Sequence, residues 1–311
     1  MGLGGGNYEF SWLEEKTVNT CPLVDDIINS AFVIGVNLFI LITGWFGVRS
    51  IGWSLFRLLP IYLFVVLLVM LVRKDISPST YNMNEWWFLP NFIILILLSP
   101  LIESSIKEIS KKTYTYFIVL LIIVNILFGY WWGYVNWNGY NFLNFIFLYY
   151  IARYCRIQSD SSVIKYLKKW GVLVYVFSFV VMGICHTILE NTGHHKLSNW
   201  YWGYNNPIIL IESISLFLWL GSRNITSKIV NYLAGGVFAV YLLSTKEFSH
   251  LHIGEYGRMV FVDYSYWGFF VYTLTVTMIM LTPCAIINDR LLLISFKFYE
   301  FIRAFLHPTK T

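Results

Sequence analysis

Residues 170–189 read WGVLVYVFSFVVMGICHTIL, a stretch of helical length without lysine, arginine, aspartate or glutamate. A helix of about 20 apolar residues spans the roughly 30 Å hydrocarbon core of a bilayer. Eight further apolar stretches of helical length accompany it, several of them short enough to require tilt or a polar cavity: 28–47, 54–72, 86–102, 114–132, 139–154, 206–221, 229–245 and 265–286. The expected fold class is all-α, a polytopic transmembrane helix bundle of about nine helices.

The basic residues indicate how the helices are oriented. Sixteen of the 22 lysines and arginines lie in or beside every second connection between the apolar stretches or in the C-terminal tail, and 155–169 is the longest of these connections. By the positive-inside rule this set is cytoplasmic, which places the N-terminus outside and the C-terminus inside. We expect a multi-pass protein of the inner (cytoplasmic) membrane.

The composition agrees with a membrane protein. Only 13% of residues are charged and 57% are hydrophobic, whereas a soluble domain carries about 25% charged residues. The net charge of +5 is explained by helix ends near anionic lipid head groups, so membrane lipid is an expected partner and nucleic acid is not. We expect one transmembrane domain over 1–311, with a polar outer arm at 1–27 and an interfacial cytoplasmic tail at 287–311.

Tryptophans cluster at the predicted outer ends of the helices. An aromatic belt at the level of the head groups explains them, because an indole ring has an apolar body and a polar N–H. The residues assigned to this belt are Trp86, Trp87, Trp131, Trp132, Trp137, Trp200 and Trp202.

Several short motifs occur in a fixed order between residues 35 and 245. They are GVNLFILITG at 35–44, which includes Thr43 and Gly44 and ends in Trp45-Phe46-Gly47; Arg49; Arg57-Leu58-Leu59-Pro60; Glu85-Trp86-Trp87-Phe88-Leu89; Ser99-Pro100-Leu101; YNFLNF at 140–145; Tyr204-Asn205-Asn206-Pro207; and FAVYLL at 238–243, which includes Tyr241. In this order they resemble the motifs of the membrane acyltransferase-3 family, which are integral-membrane O-acyltransferases.

The resemblance implies an acyltransferase that transfers groups other than aminoacyl groups. Such an enzyme moves an acyl group, usually acetyl, from cytoplasmic acetyl-CoA to a hydroxyl of a cell-envelope or secreted polysaccharide. Acyl-CoA is then a co-substrate and no cofactor is tightly bound. Guanidinium groups bind phosphate well, so Arg49 and Arg57 at the predicted cytoplasmic face are candidates for binding the CoA phosphates. Alternatively, they only fix the topology.

Two polar residues inside apolar stretches are candidate catalytic residues. Asn37 corresponds to the Asp or Asn of the family motif and could position a substrate, or it could only form a hydrogen bond between helices. Glu212 lies inside 206–221, where an ionised carboxylate costs roughly 2.5–3.5 kcal/mol. We expect it to face the bundle interior, to be protonated or to be paired with a base, and it is a candidate proton acceptor. The alternative is a solvated residue near the outer mouth.

The histidines do not indicate a metal site. His186 is placed near the outer end of its helix, and His194 and His195 lie in an outer loop without a carboxylate or thiol close in sequence. We expect surface or packing roles for all three and no metal ligation.

The resemblance also implies a helix upstream of Met1 that carries an Arg and, about ten residues later, a catalytic His. Residues 1–27 contain no histidine, so we expect Met1 to lie downstream of that helix, which would raise the number of helices to ten. Two other functions stay open, a lipid-linked glycan flippase or transporter and a non-catalytic family member. The acceptor sugar and the oligomeric state are not indicated by the sequence.

Overall fold

The computed structural model describes residues 22–73, 86–194, 201–223, 226–244 and 253–306. These residues form helices and no strand. The α-helices are α1 (Pro22–Val33), α2 (Gly35–Phe46), α3 (Ile51–Arg73), α4 (Phe88–Glu108), α5 (Lys111–Val124), α6 (Phe142–Ile157), α7 (Ser162–Asn191), α8 (Pro207–Gly221), α9 (Lys228–Ala234), α10 (Val237–Ser244) and α11 (Ile253–Leu306). A π-helical segment, Asn125–Trp131, follows α5, and a short 3₁₀ turn, Trp137–Gly139, precedes α6.

Six helical stretches in this described part are long and apolar enough to cross a bilayer. They are Pro22–Phe46, Ile51–Leu68, Phe88–Glu108, Lys111–Trp131, Ser162–Asn191 and Tyr256–Phe298. Two shorter apolar helices are Pro207–Gly221 and Lys228–Leu243. The prediction of an all-α polytopic bundle is confirmed, and the chain is a multi-pass membrane protein.

Two helices begin before the apolar stretches to which they correspond, because the polar residues in front of those stretches are also helical. Helix α1 begins at Pro22, before the expected position 28, because proline suits the first helical position and Asp25 lies in the first turn. Residues 22–27, which the sequence assigns to the polar arm, are therefore the first residues of this helix. Helix α11 begins at Ile253, before the apolar stretch 265–286, and continues to Leu306 with a single non-helical residue at Ser265.

The chain forms two compact units. The larger unit contains α1, α2 and α4–α8, and the smaller unit contains α3 and α9–α11. In the larger unit α7 packs along α1 and α8, while α2 packs on α6 and α8. In the smaller unit α11 packs on α3, α9 and α10.

Glycine allows a close helix contact in the larger unit between α2 and α6. A Cβ atom at Gly44 would lie 2.9 Å from both Cβ of Ala152 and Cα of Tyr149. Small residues let transmembrane helices approach in this way, since packing rather than hydrophobicity drives their association. The Thr43-Gly44 pair of the sequence motif therefore sits at a helix crossing, where the Thr43 hydroxyl donates back to the carbonyl of Phe39 at 2.9 Å.

Two proline motifs have a structural explanation. Pro100 lies inside α4 and lacks an N–H, which leaves the carbonyl of Ile96 without its helical donor. The hydroxyl of Ser99 donates to that carbonyl at 2.7 Å, so it is not left unpaired in an apolar environment. At the start of α8, Asn206 caps the helix by accepting from the N–H of Ile208 at 2.8 Å, and Pro207 occupies the first position.

A tryptophan side chain also packs inside the smaller unit. The sequence assigns Trp86 to the aromatic belt, but its side chain is buried and its indole Nε1 donates to the carbonyl of Leu242 at 3.0 Å. Trp86 is therefore a packing residue. Trp131 and Trp132, in contrast, are exposed in the larger unit, as a belt requires.

Candidate functional site

A carboxylate and an imidazole meet where α1 begins and α7 ends. Oδ1 of Asp26 lies 2.9 Å from Nδ1 of His186, which is within ion-pair distance without being a linear hydrogen bond. Oδ2 of Asp26 accepts a 2.6 Å hydrogen bond from the Thr187 hydroxyl. On the other side of the ring, Nε1 of Trp202 donates to Nε2 of His186 at 3.0 Å. The neutral imidazole therefore carries its proton on Nδ1, toward Asp26, and its lone pair on Nε2.

This pair is only partly shielded from its surroundings. The side chains of His186 and Asp26 are 11% and 17% exposed. The imidazole lies between two aromatic rings, with centroids 6.0 Å away for Tyr201 and 4.6 Å away for Trp202. Burial raises the pKa of the Tyr201 phenol well above its ordinary value, so Tyr201 stays protonated at neutral pH. Of these groups, His186 is the one with a basic ring nitrogen.

A close helix approach fixes the position of this pair. A Cβ atom at Gly183 would lie 2.7 Å from Cα of Ile27, so α7 and α1 touch through their backbones at this point. Asp26 is adjacent to Ile27, and His186 follows Gly183 by three residues, about one turn along α7. The two side chains are therefore brought together by the small residue at the crossing.

Asparagines hold the loop that carries Tyr201 and Trp202. Nδ2 of Asn206 donates to the carbonyl of Tyr201 at 2.8 Å, and Nδ2 of Asn205 donates to the carbonyl of Asn136 at 2.6 Å. Because both bonds are formed by buried side chains, they place the loop, and with it the Trp202 indole, against α7.

Further buried asparagines form a hydrogen-bond network beside this loop. Nδ2 of Asn136 donates to Oδ1 of Asn125 at 2.7 Å and to Oδ1 of Asn144 at 3.3 Å. Asn125 begins the π-helical segment, and Asn136 has a positive φ of 61°. Asparagine tolerates that conformation better than most residues. The network links the π-helical segment, the start of α6 and the loop before α8.

Asn37 lies in the middle of the larger unit and is fully buried. Its Nδ2 donates to the carbonyl of Tyr204 at 2.9 Å and to Oγ of Ser213 at 3.2 Å. Asn37 thus links α2 to α8 and to the loop before it. Its Oδ1 has no hydrogen-bond partner among the described residues, so one polar atom is still available for a further interaction.

Glu212 lies on α8 and is fully buried. Of the positions that the sequence left open, the bundle interior is therefore the one observed. Neither of its carboxylate oxygens has a hydrogen-bond partner within the described ranges. Among the described residues, Glu212 does not contact the Asp26–His186 pair. If Glu212 were the base of that site, such a contact would be required.

Two guanidinium groups meet at the C-terminal end of α2, and a third arginine follows in the turn. Nη1 of Arg153 and Nη1 of Arg156 both approach the carbonyl of Trp45, at 3.5 and 2.5 Å. Arg49 is exposed in the turn that follows α2. Glu103 pairs with Arg153, with Oε2 to Nη2 at 2.8 Å. We call Arg49, Arg153 and Arg156 the guanidinium cluster, and it keeps a net positive charge because Glu103 compensates one of three cations.

Gly47 shapes the turn beside this cluster. It caps α2 with a φ of 73°, a conformation that glycine adopts without steric cost. The following N–H, of Val48, donates to the hydroxyl of Tyr149 at 3.2 Å, and this hydroxyl donates to Oε1 of Glu103 at 2.7 Å. The glycines of the TGWFG sequence therefore position the cluster.

Arg57, the other candidate for binding the acyl donor, is exposed on α3, where Pro60 lies within the helix. Its role in donor binding stays a prediction. Trp87 lies in the turn before α4, and Tyr241 lies on α10, where its ring stacks on that of Phe238 at 6.4 Å. His194 contacts Thr192 at 3.0 Å, and His195 lies outside the described residues.

The catalytic histidine that the resemblance implies is not among the described residues. The resemblance implies a catalytic histidine upstream of Met1, and Met1 itself lies, with residues 2–21, outside the described residues. The earlier helix with its Arg and His therefore stays a prediction. Within the described ranges, the histidine that a carboxylate approaches is His186.

The pairing of Asp26 with His186 and the participation of Arg153 and Arg156 were not predicted from the sequence. The expected arm included Asp26, and a surface or packing role was expected for His186. The sequence does contain a signal for the first pairing, because Asp26 and His186 are both predicted at the outer ends of their helices. In addition, a histidine at the end of an apolar helix requires a polar partner.

Comparison with known proteins identifies no relative from which a function could be transferred. The chain matches no family model, no curated protein and no solved structure.

Proposed function

We propose that this chain is an integral-membrane O-acyltransferase of the cytoplasmic membrane. It transfers an acyl group, with acetyl expected, from acyl-CoA to a hydroxyl of a cell-envelope or secreted polysaccharide. The observation that carries the proposal is the Asp26–His186 pair, because a histidine beside a carboxylate is a common general base for a hydroxyl. The order of the acyltransferase-3-like motifs supports the same reaction class.

In this proposal His186 is the base. The acceptor hydroxyl takes the place of the Trp202 indole at Nε2 and gives its proton to that nitrogen. The alkoxide oxygen then bonds to the thioester carbonyl carbon, the carbon–sulfur bond breaks, and the departing thiolate takes up a proton to become the thiol of CoA. Asp26 stabilises the imidazolium that forms between these steps, since its carboxylate is 2.9 Å from Nδ1.

Acceptor binding is supported by the aromatic surroundings of His186. Sugars present a hydrophobic face of C–H groups and a rim of hydroxyls. Tyr201 and Trp202 provide aromatic faces, and Asp26 and Thr187 provide polar atoms. Such a mixture of aromatic walls and a few polar groups is typical of small-molecule sites.

Donor binding is assigned to the guanidinium cluster. CoA carries several phosphates, and guanidinium groups bind phosphate through paired hydrogen bonds. The cluster and Asp26 lie at opposite ends of the membrane-spanning stretch Pro22–Phe46, whose 25 residues would measure about 38 Å as one straight helix. The extended pantetheine arm is shorter than this distance. The cluster is therefore the place where CoA first docks by its phosphates, and the donor moves further into the bundle before its thioester meets the hydroxyl at His186. The positive-inside rule makes the cluster end cytoplasmic.

Transfer of labelled acetyl from acetyl-CoA tests the proposal. The full chain in native membranes is supplied with labelled acetyl-CoA and with cell-envelope polysaccharide. Acetyl incorporation is then compared for the unmodified protein, His186→Ala and His194→Ala. His194 is an exposed histidine at the same end, so it serves as the matched control. Incorporation that depends on His186 and not on His194 is expected; movement of lipid-linked glycan without acetylation would contradict the proposal.

A further inference from the structure

The ion pair between Glu103 and Arg153 uses only part of each group. Oε2 of the carboxylate lies 2.8 Å from Nη2 of the guanidinium, while Oε1 accepts a 2.7 Å hydrogen bond from the Tyr149 hydroxyl. The carboxylate is therefore shared between two donors and contacts the guanidinium through one oxygen. Contact through both oxygens would give the stronger, bidentate pair that arginine favours.

Arg153 has an unused donor next to this contact. Its Nε is buried and has no hydrogen-bond partner among the described residues, although Nε and Nη2 form one edge of the planar guanidinium. Buried polar atoms without partners are uncommon in native proteins and call for an explanation. A phosphate group presents two oxygens to such an edge, so it can satisfy both N–H groups where Glu103 satisfies one.

A second guanidinium lies within reach of the same ligand. Nη1 of Arg153 and Nη1 of Arg156 contact one carbonyl oxygen, that of Trp45, at 3.5 and 2.5 Å. The two nitrogens are therefore no farther apart than the sum of these distances, and one diphosphate group can contact both. Arg156 is also exposed, so a ligand can approach it from outside the bundle. A ligand with a single charge can neutralise only one of the two cations.

The turn after α2 lies directly against the ion pair. A Cβ atom at Gly47 would lie 3.2 Å from Oε1 of Glu103 and 3.7 Å from Nη1 of Arg153, and the side chains of the pair are each 18% exposed. The contact is therefore partly shielded but not sealed. If Glu103 leaves Arg153, its Oε1 still has the Tyr149 hydroxyl as a partner, so the displaced carboxylate is not left without a hydrogen bond.

We propose that Glu103 is a specificity-determining residue of the donor site, whose carboxylate occupies Arg153 until a phosphate ligand with several negative charges displaces it. This role rests on the proposed docking of CoA at the guanidinium cluster. Because the tethered carboxylate is always beside Arg153, a free monoanion that offers one equivalent contact gains nothing and loses the entropy of association. A diphosphate gains by filling the Nε–Nη2 edge and by reaching Arg156. Glu103 therefore excludes chloride and small carboxylates and admits the diphosphate of CoA.

Modification by phenylglyoxal, which reacts with guanidinium groups, tests whether Glu103 occupies Arg153. The full chain in lipid nanodiscs is labelled without any ligand, and the rate at Arg153 is measured by mass spectrometry. Glu103→Gln removes the charge and keeps the shape, whereas Glu103→Asp keeps the charge and withdraws it from Arg153. We expect a several-fold faster reaction in both variants. Asp160→Asn is the matched control with an unchanged rate, because Asp160 is an exposed carboxylate just beyond the end of α6. An unchanged rate in both Glu103 variants overturns the proposal.

Protection of Arg153 by added anions tests the selectivity. At equal ionic strength, pyrophosphate should slow the labelling of the unmodified protein, whereas acetate should slow it only in Glu103→Gln. The affinity for CoA should be about two- to tenfold higher in Glu103→Gln, because more of the sites are open to the ligand, and unchanged in Asp160→Asn.

Three results overturn the role of Glu103: no protection by pyrophosphate, equal protection by acetate with and without the substitution, or binding of CoA that Glu103→Gln leaves unchanged or weakens. Selective protection by pyrophosphate in a protein that does not bind CoA supports the role of Glu103 and contradicts the donor site of the proposed function. The two failures are therefore distinguishable.

Discussion

Nδ1 of His186 lies 2.9 Å from Oδ1 of Asp26, although 160 residues separate the two in the chain. The contact gives the imidazole one anionic neighbour, while the Trp202 indole occupies its other nitrogen. A ring held in this way has a defined tautomer and a basic nitrogen that a hydroxyl can reach only by displacing the indole.

His186→Ala should lower the rate of acetyl transfer by about 10²–10⁴-fold, the usual contribution of a positioned general base. Asp26→Asn should lower kcat by a smaller factor, because the amide keeps the shape and loses the charge that stabilises the imidazolium. The kcat of purified variants in lipid nanodiscs is the measurement. A His186→Ala enzyme as active as His194→Ala would exclude His186 as the base.

Trp202→Phe should increase the reactivity of His186 toward diethyl pyrocarbonate, which acylates an unprotonated imidazole nitrogen. The substitution keeps an aromatic ring and removes the N–H that occupies Nε2. A neutral hydrogen bond contributes about 0.5–1.5 kcal/mol, so the labelling rate should rise by about two- to tenfold. Peptide-resolved mass spectrometry measures His186, and His194 in the same sample reports any general change in accessibility. An unchanged rate at His186 would show that the indole does not block Nε2.

Arg49→Ala and Arg156→Ala should raise the KM for acyl-CoA with little change in kcat, because both are assigned to the CoA phosphates. A charge-assisted hydrogen bond contributes about 1.5–3 kcal/mol, which corresponds to a rise of about ten- to a hundredfold. Lys165→Ala is the matched control, since Lys165 is an exposed cation paired with Asp160 at 3.6 Å. An equal effect of all three substitutions would point to general surface charge instead of a donor site.

Gly44→Ala should destabilise the protein by about 1–3 kcal/mol, the typical cost of overpacking. The added methyl group would lie 2.9 Å from the backbone of Tyr149 and force α2 away from α6. Gly52→Ala, where a Cβ atom meets nothing within 4 Å, should leave the stability unchanged or raise it by about 0.4–1 kcal/mol. Thermal unfolding in detergent compares the two variants, and equal melting temperatures would contradict the close crossing.

Cysteine labelling tests the orientation. In a cysteine-free background, Asp160→Cys should react with a membrane-impermeant maleimide only after the cells are opened, whereas Thr192→Cys should react in intact cells. Both positions are exposed at opposite ends of α7. Labelling of Asp160→Cys in intact cells would reverse the orientation and move the guanidinium cluster to the outside.

The helices could be predicted because their signal is local. Each of the nine apolar stretches is mostly helical in the structure, and turn residues explain features such as the Asn206-Pro207 start of α8. The burial of Asn37 and Glu212 was also predictable, since a polar side chain in an apolar helix avoids lipid. These inferences require only neighbouring residues.

The site could not be predicted in the same way because its contacts are between distant segments. Nothing near Asp26 in sequence indicates that α1 crosses α7 at Gly183, and Glu103, Arg153 and Trp45 come from three different helices. Apolar stretches also exclude polar residues by definition, so the sequence pattern assigns Asp26 to the arm although it lies in the first helix. Pairwise contacts of this kind require the folded arrangement.

The start of α8 has a consequence for any insertion in this part of the chain. Each added residue rotates the rest of a helix by about 100°. The Asn206 cap and Pro207 fix where α8 begins, so one extra residue between Pro207 and Glu212 would swing the carboxyl from the interior toward lipid. The same slip would carry Ser213 away from Asn37. Length in this short segment is therefore as constrained as the identity of its residues.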